Sequence, residues 1–376
     1  MDNQKKRILL EDIDFNKLLN RDPINYNNNE MIKEYFINSK ILITGGCGSI
    51  GSEIVRQLLN LGINKLIIFD SNETALFNLR NEIRDIYDIG ISTNRIKFVI
   101  GNIRDKKRLN DIFLENKIDY LFHAAAYKHV PLMELNPYES INTNIIGTKN
   151  IADVSLKYNI KKFIMVSTDK AVNPTNIMGA SKRISEIYIN YLNKYNKTKF
   201  ITTRFGNVLG SNGSVIPTFL NKINKGKNLI LTHKDITRYF MTIPEASKLV
   251  LEAAIIGNAG EILLFDMGDP IKIYDLAERM ILLYGSQNNK IEIGSLREGE
   301  KLYEELLCKG ENVIPTTNKK IMKLKHNDKI DYELFFLNFK KIINFEYSND
   351  KELKQYFVKL VPDYIPSTIS YSTVKK

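Results

Sequence analysis

Residues Val166–Arg183 read VSTDKAVNPTNIMGASKR, and their order decides the fold. The apolar run FIMVS is the end of a strand, Asn173-Pro174 closes a loop, and the residues after it begin a helix. The polar cluster Ser167-Thr168-Asp169-Lys170 therefore falls where the strand ends. In open parallel α/β sheets ligands sit beyond the carboxyl ends of the strands, so chemistry is expected here. Met178 and Lys182 are four apart on the following helix and share a face.

Toward the N-terminus the same rhythm repeats. KILIT (40–44) is a strand, SIGSEIVRQLLNLG a helix ended by Gly62, and KLIIFD (65–70) a second strand. A helical stretch from Asn72 to about Ile86 follows, then the strand RIKFVIGNI, the helix DKKRLNDIFLEN and the strand DYLFHAAA. A longer helix carries NPYESINTNIIGTKNIADVSLKY, and beyond Arg183 comes the strand TKFITTRFGNV. Strands alternating with helices at this spacing predict right-handed βαβ units, an α/β fold with a Rossmann-type doubly wound parallel sheet. After about Asn207 the segments shorten, with Gly210, Gly213, Pro217, Gly226, Pro244, Gly268 and Pro270 between them. The expected organisation is an N-terminal arm (1–36), a nucleotide-binding domain (37–207) and a smaller substrate-binding lobe (208–376), with the chain crossing between lobes. No internal repeat is visible, and residues 311–376 carry no readable motif.

The hydrophobic fraction of 43% and charged fraction of 26% are those of a globular protein. A formal charge of +11, from 54 basic and 43 acidic residues, suits nucleic acid, an anionic membrane surface or a phosphorylated substrate. No dense basic run with interleaved aromatics appears, so the surplus reads as solvated surface and no nucleic-acid partner is expected. Cys47 and Cys308 have no metal-ligand spacing and suggest no disulfide framework, which predicts a reducing cytoplasm and no metal site. No apolar run approaches the roughly 18–20 residues of a membrane span. The start, MDNQKKRILLEDIDF, lacks a signal-peptide core, so a soluble protein is expected.

TGGCGSIG places Gly45, Gly48 and Gly51 between a strand and a helix that opens with Ser49 and Ile50. Glycine permits close backbone approach to a pyrophosphate, and the helix N-terminus adds oriented N–H donors. The strand–loop–helix context raises this above a structural turn. Asp70 ends the second strand, where a carboxylate accepts from both adenosine ribose hydroxyls and repels a 2′-phosphate. No arginine directly follows it, so the expected cofactor is NAD. Ala124, Ala125 and Ala126 end the fourth strand with small side chains that let backbone approach the cofactor. His123 before them reads as a packed strand-end histidine.

With these residues in place the chain resembles the extended short-chain dehydrogenase/reductase family that acts on nucleotide sugars. Within it, the resemblance is to UDP-N-acetylglucosamine 4,6-dehydratases of the polysaccharide-biosynthesis (CapD-like) type. The motifs that carry it are TGGCGSIGSE, HAAAYKHVPLMELNP, TNIIGT, STDKAVNPTNIMGASKR, TRFGNVLGSNGSVIP, TRYFMTIPEA and REGEKLYEEL, spanning roughly Lys40 to Leu306. LLNRDPINYN also resembles the stretch before the catalytic domain of membrane-anchored relatives, so this chain resembles a soluble version. The resemblance implies an internal redox cycle in which hydride leaves sugar C4 for NAD, water leaves across C5–C6, and hydride returns to C6. Elimination needs an acid for the C6 hydroxyl and a base for the C5 proton, expected here to be Asp169 and Lys170. Their roles call for a raised Asp pKa and a lowered Lys pKa, which burial favours and an ionised pair opposes.

Met178 holds the position of the family's catalytic tyrosine and cannot exchange a proton. Removal of the C4 hydroxyl proton then falls to Asp169, Lys170 or a water held by Thr168, while Lys182 holds the nicotinamide ribose. Asn102 and Ile103 stand where relatives contact adenine through Asp-Ile, and Asn144 lies in the cofactor motif TNIIGT. Arg238 and Arg297 suit a diphosphate, Asn207 a sugar or phosphate, Lys128 the sugar pocket, and SVIPTF, opened by Ser214 and Val215, a uracil slot. REGEK replaces the RPGEK usual in relatives, and Glu298 in the proline position leaves the Arg297 loop less rigid. Relatives associate through helices flanking the sheet, so a homo-oligomer is expected. Retention at C5 is favoured. The rival readings are an inverting dehydratase, a UDP-sugar 4-epimerase and a non-catalytic NAD/UDP-sugar sensor.

Overall fold

A computed structural model describes residues 7–21, 28–87, 95–307, 311–325 and 330–366; Cys308 and most of the RDPINYN segment lie outside them. Among these residues the main sheet has nine strands. They are β1 (Ile41–Thr44), β2 (Leu66–Asp70), β3 (Ile96–Ile100), β4 (Tyr120–His123), β5 (Lys162–Thr168), β6 (Lys199–Phe205), β7 (Ile262–Phe265), β8 (Asn312–Pro315) and β9 (Ile321–Lys325). Their spatial order is β8-β9-β7-β6-β5-β4-β1-β2-β3. All pairs from β3 across to β7 are parallel, and β9 and β8 close that edge antiparallel. The order reverses between β1 and β4, where Thr44 pairs with His123. Such a switch point opens a crevice at the carboxyl ends of the strands.

Strand residues alternate between two apolar layers, as a parallel sheet buried on both faces requires. Leu42, Ile67, Leu121 and Phe163 face one layer, and Ile41, Ile43, Ile68, Phe122 and Ile164 the other. Helices Ser49–Asn60, Glu73–Tyr87 and Ile243–Ile256 cover the second layer. Helices Lys106–Glu115, Thr148–Lys157 and Ile177–Leu192 cover the first. A third cluster, with Ile216, Phe219, Leu220, Leu276 and Met280, forms the core of a smaller lobe.

Residues after 207 serve both bodies. Helix Ile243–Ile256 and strands β7 and β9 belong to the main sheet layer, and Lys162 at the start of β5 caps that helix by donating to Ala254 O, Ile255 O and Gly257 O at 2.7–3.0 Å. Helices Tyr332–Ile343 and Asp350–Leu360 bury Phe335, Phe339, Ile342 and Leu353, Phe357, Leu360, each triplet spaced for one helical face. They pack over helix Ile177–Leu192, where Tyr188 stacks on Phe339 at 5.1 Å, so that helix is buried from Ile177 to Ile189. The arm is likewise divided. Leu18 and Leu19 pack in the lobe, Ile32 and Phe36 pack under the sheet, and Arg21 pairs with Glu245 at 2.6 Å.

The long helix expected over NPYESINTNIIGTKNIADVSLKY runs unbroken from Pro137 to Lys157, widening to π-helical turns over Ile141–Gly147. Wide turns of this kind cluster at functional sites. No helix among the described residues is long and apolar enough to cross a membrane.

Candidate active site

The crevice at the switch point is built by close backbone approach. Gly45 has φ +66°, and a Cβ there would stand 2.6 Å from Ala125 N, so only glycine lets the β1 loop lie against Ala124–Ala126. Gly48 precedes helix Ser49–Asn60, whose N-cap supplies no side-chain hydrogen bond. Its first N–H groups remain available to an anion, which fits a pyrophosphate. Ser49 Oγ accepts from Asn212 N at 3.1 Å, tying this helix start to the lobe, and Ile50 packs with the sheet layer. Asp70 ends β2 with its carboxylate braced by Cys47 N (2.9 Å) and Asn72 N (3.0 Å). The Cys47 thiol is pushed up to about 12 by burial and by Asp70, which makes it inert.

Other residues expected at the cofactor are occupied by protein. Asn102 Oδ1 accepts from Arg104 N at 3.0 Å, and Ile103, 4% exposed, is part of the core. Asn144 is fully buried; its amide accepts from Tyr127 N and donates to Tyr127 O and Ser181 Oγ at 2.8–3.0 Å. It thereby ties the loop after β4 to helix Ile177–Leu192. His123 is held between Thr44 Oγ1 (2.7 Å) and Thr148 Oγ1 (2.9 Å). Burial, then the Lys182 charge, lowers its pKa to about 3, so it is a neutral packed histidine.

Asp169 and Lys170 lie in a 3₁₀ turn directly after β5. The Asp169 side chain is completely buried and Lys170 Nζ is 3.0 Å from its Oδ1. Thr168 Oγ1 donates to the same oxygen at 2.9 Å. Lys170 Nζ also donates to Asn207 Oδ1 at 3.0 Å, so Asn207, expected on the substrate, braces the ammonium. Asp169 Oδ2 is buried with no hydrogen-bond partner among the described residues. An orphaned carboxylate oxygen is costly unless a ligand or proton uses it.

The expected downward shift of Lys170 is overturned. Burial pushes it down, but Asp169 and Glu304 outweigh burial and the pKa is raised. Nothing in the sequence singles out Glu304, whose position 3.7 Å from Lys170 arises only from the fold. Lys128 Nζ donates to Ser211 Oγ at 3.3 Å, and burial and the neighbouring Lys170 charge lower its pKa.

Met178 is 3% exposed, packed at the start of its helix. One turn on, Lys182 Nζ donates to Val166 O at 2.7 Å. Burial lowers its pKa to about 8 against the opposing pull of Glu186. Glu186 itself is held to about 2, where burial is overcome by Arg204, Arg183 and the Ser167 hydroxyl.

On the lobe side, Arg238 is largely spent. Its guanidinium donates to Thr237 O (2.7 Å), Leu302 O (3.2 Å) and Lys301 O (2.8 Å), with Glu300 and Glu304 at 3.7 and 3.8 Å. It staples the 300–304 segment that carries Glu304, where a diphosphate role was expected. Arg297 is exposed. It opens a turn in which Glu300 N donates to Arg297 O at 3.0 Å. Gly299 at φ +74° and a non-positive φ at Glu298 make this type II, a turn that favours proline where Glu298 stands. Glu298 instead meets Lys354 Nζ at 3.3 Å, and Lys354 lies 3.6 Å from the buried Glu134. A tertiary ion pair thus anchors this loop at Glu298. Ser214 stands at the N-cap position of helix Val215–Asn224 without a side-chain capping bond; its Oγ is buried with no partner among the described residues, while Val215 packs on the lobe core.

The site is accompanied by sequence and fold likeness. The profile of the family described as "Polysaccharide biosynthesis protein" matches residues 41–326. The chain is 45% identical over 357 residues to the capsular polysaccharide biosynthesis protein CapD of Staphylococcus aureus, covering 94% of this chain and 57% of that protein. It is 38% identical to the UDP-glucose 4-epimerase of Rickettsia canadensis, covering 72% of this chain and 78% of that one. Pen from Bacillus thuringiensis has a similar structure, with a TM-score of 0.72 and 34% identity over 78% of this chain and 90% of Pen. DesIV, a dTDP-glucose 4,6-dehydratase of Streptomyces venezuelae with NAD bound, shares the fold at a TM-score of 0.61 and 22% identity, over 71% of this chain and 87% of DesIV. The chain spans little more than half the length of CapD. Profile and relatives agree, and the chain belongs to the polysaccharide biosynthesis protein family.

Proposed function

We propose that the chain is a UDP-N-acetylglucosamine 4,6-dehydratase that uses NAD and retains configuration at C5, supplying a 4-keto-6-deoxy sugar nucleotide for polysaccharide synthesis. The observation that carries this reading is the orphaned, buried Asp169 Oδ2 at the end of β5, beside Lys170 and a helix whose tyrosine position is Met178. NAD, when bound, accepts hydride from C4 and returns it at C6. Gly45, Gly48 and Ala124–Ala126 give it backbone access, Asp70 faces the adenosine ribose, and Lys182 the nicotinamide ribose.

Asp169 Oδ2 takes the proton of the C4 hydroxyl, because Met178 has none to exchange. Asp169 later gives that proton to the oxygen that leaves C6 as water. Neutral Lys170 removes the C5 proton and restores it on the same face, which retains configuration. Both groups end as they began. The raised pKa of Lys170 means that its neutral form is scarce near neutral pH, so kcat/KM climbs with pH through the alkaline range.

The homo-oligomer expected from relatives forms on surfaces other than the Ile177–Leu192 helix, which the chain's own C-terminal helices cover. A cytoplasmic location accords with a UDP-sugar substrate. Purified protein with UDP-N-acetylglucosamine, followed by mass spectrometry, tests the reading. Loss of one water (about 18 Da by stoichiometry of the elimination) in wild type but not in Asp169→Asn supports it. An unchanged mass with a new C4 epimer in the proton NMR spectrum favours the 4-epimerase, to which the Rickettsia relative lends weight. Tight binding with no product at all favours the sensor.

A further inference from the structure

Lys170 is held by two carboxylates, of which the proposed reaction uses one. Asp169 lies on its own turn at 3.0 Å, and Glu304 reaches it from the segment after the Arg297 turn at 3.7 Å. The other charged groups facing it are Arg238, on the strand Thr237–Arg238, and Lys128, from the loop after β4. The Glu304 side chain is 4% exposed and lies 3.8 Å from Arg238 Nε, with Glu300 3.7 Å from Nη2 of the same guanidinium. Glu304 Oε2, like Asp169 Oδ2, is buried without a hydrogen-bond partner among the described residues. Two acidic groups and one ammonium thus share a site, but their surroundings differ. Thr168 and Lys170 bind only one oxygen of Asp169 and leave the other open, whereas Glu304 is clamped through Arg238 to the 300–304 backbone.

This asymmetry has a chemical use. In the proposed cycle Asp169 becomes neutral when it takes the C4 hydroxyl proton. Lys170 becomes an ammonium when it takes the C5 proton. If water has not yet left C6, the new ammonium then faces a protonated Asp169 and would be a buried charge without a counter-ion. We propose that Glu304 is the permanent counter-charge of Lys170, a positioning residue that stays ionised through the cycle and lets Asp169 change its protonation. Glu304 transfers no proton, and every proton taken up by Asp169 or Lys170 is returned to the sugar or to the departing water. Asn207 completes the cage by holding Nζ in the direction of both carboxylates.

The inference rests on the dehydratase reading, so its test includes a readout that needs no turnover. Protein loaded with NAD and labelled with ¹³C-lysine is titrated by NMR, with the Lys170 resonance identified by its loss in Lys170→Arg. Glu304→Gln keeps the shape and removes the charge; the Lys170 pKa is expected to fall by about 1 pH unit or more, the shift that one opposite charge at this distance produces. Glu304→Asp retains the charge and is expected to restore most of it. With UDP-N-acetylglucosamine, Glu304→Gln should lower the kcat plateau reached at high pH by up to about tenfold per unit lost in basicity, following Brønsted behaviour, while kcat near neutral pH, where neutral Lys170 is scarce, does not fall. The rising limb of its pH profile should move to lower pH, with NAD affinity unchanged. A Lys170 titration that is the same in wild type and Glu304→Gln overturns the inference, whether or not the enzyme turns over this sugar. A moved titration with no product from wild type leaves the counter-charge standing and rejects the dehydratase reading instead.

Discussion

The turn that holds Asp169 and Lys170 is set by the helix behind it, and Gly179→Ala measures how tightly. A Cβ at 179 would lie 2.9 Å from the Lys170 carbonyl carbon and closer still to its oxygen. Carbon atoms in contact settle at about 3.5–4.0 Å, so the turn or the helix must give by at least about 0.6 Å. The turn is the softer partner, since helix Ile177–Leu192 is buried along nearly its whole length. Overpacking of this kind costs about 1–3 kcal/mol of stability, and a catalytic group misplaced by about 1 Å can lose about 10²-fold in rate. The variant should therefore bind NAD as wild type does, melt several degrees lower, and dehydrate UDP-N-acetylglucosamine about 10–100 times more slowly at saturating substrate. Calorimetry and steady-state kinetics supply the two numbers. A variant with full kcat would refute the reasoning, because it would mean that the position of the Asp169–Lys170 turn does not limit the chemistry.

Two further perturbations test other parts of the account. Lys354→Ala removes the cation that holds Glu298 and leaves the buried Glu134 with the Ile177 N–H but without its ammonium, so a stability loss of about 1–3 kcal/mol and a several-fold higher KM for the UDP-sugar are expected. Glu298→Pro in that background presets the type II turn and should bring KM back without restoring the melting temperature; recovery of neither would show that the ion pair does not act on the Arg297 loop. His123 bears on acid stability. Its pKa of about 3 lies below the usual 6.5, so the unfolded chain binds the extra proton first and stability falls as pH drops from about 6.5 toward about 3. The full span corresponds to about 4–5 kcal/mol, and urea denaturation of His123→Asn across that range should show a flatter pH dependence than wild type.

Much of this was legible in the sequence. Alternating apolar strands and helices gave the parallel sheet, and the glycines after KILIT marked its crevice, because local periodicity and turn chemistry are properties of short segments. Thr168-Asp169-Lys170 could be placed at a strand end for the same reason. Glu304 could not, since it meets Lys170 only when the lobe folds back on the sheet. Arg238 shows a related limit. Its guanidinium has the chemistry to bind a diphosphate, but only the fold reveals that Thr237 O, Lys301 O and Leu302 O already take it. Residues 332–360 carried ordinary amphipathic spacing without any sign of the partner they cover, which is the Ile177–Leu192 helix. Asn144 was placed at the cofactor by its motif, yet π-helical turns aim it at Tyr127.

The central claim is an internal redox cycle at Asp169–Lys170, and the most direct test follows one atom. UDP-N-acetylglucosamine carrying deuterium at C4 is incubated with the protein and catalytic NAD in ordinary water, and the product is examined by proton and deuterium NMR. The account predicts a 4-keto product in which the label has moved to the C6 methyl group within the same molecule, and no such transfer in Asp169→Asn. A label still at C4 after conversion to the epimer, or a C6 methyl without deuterium, would contradict it.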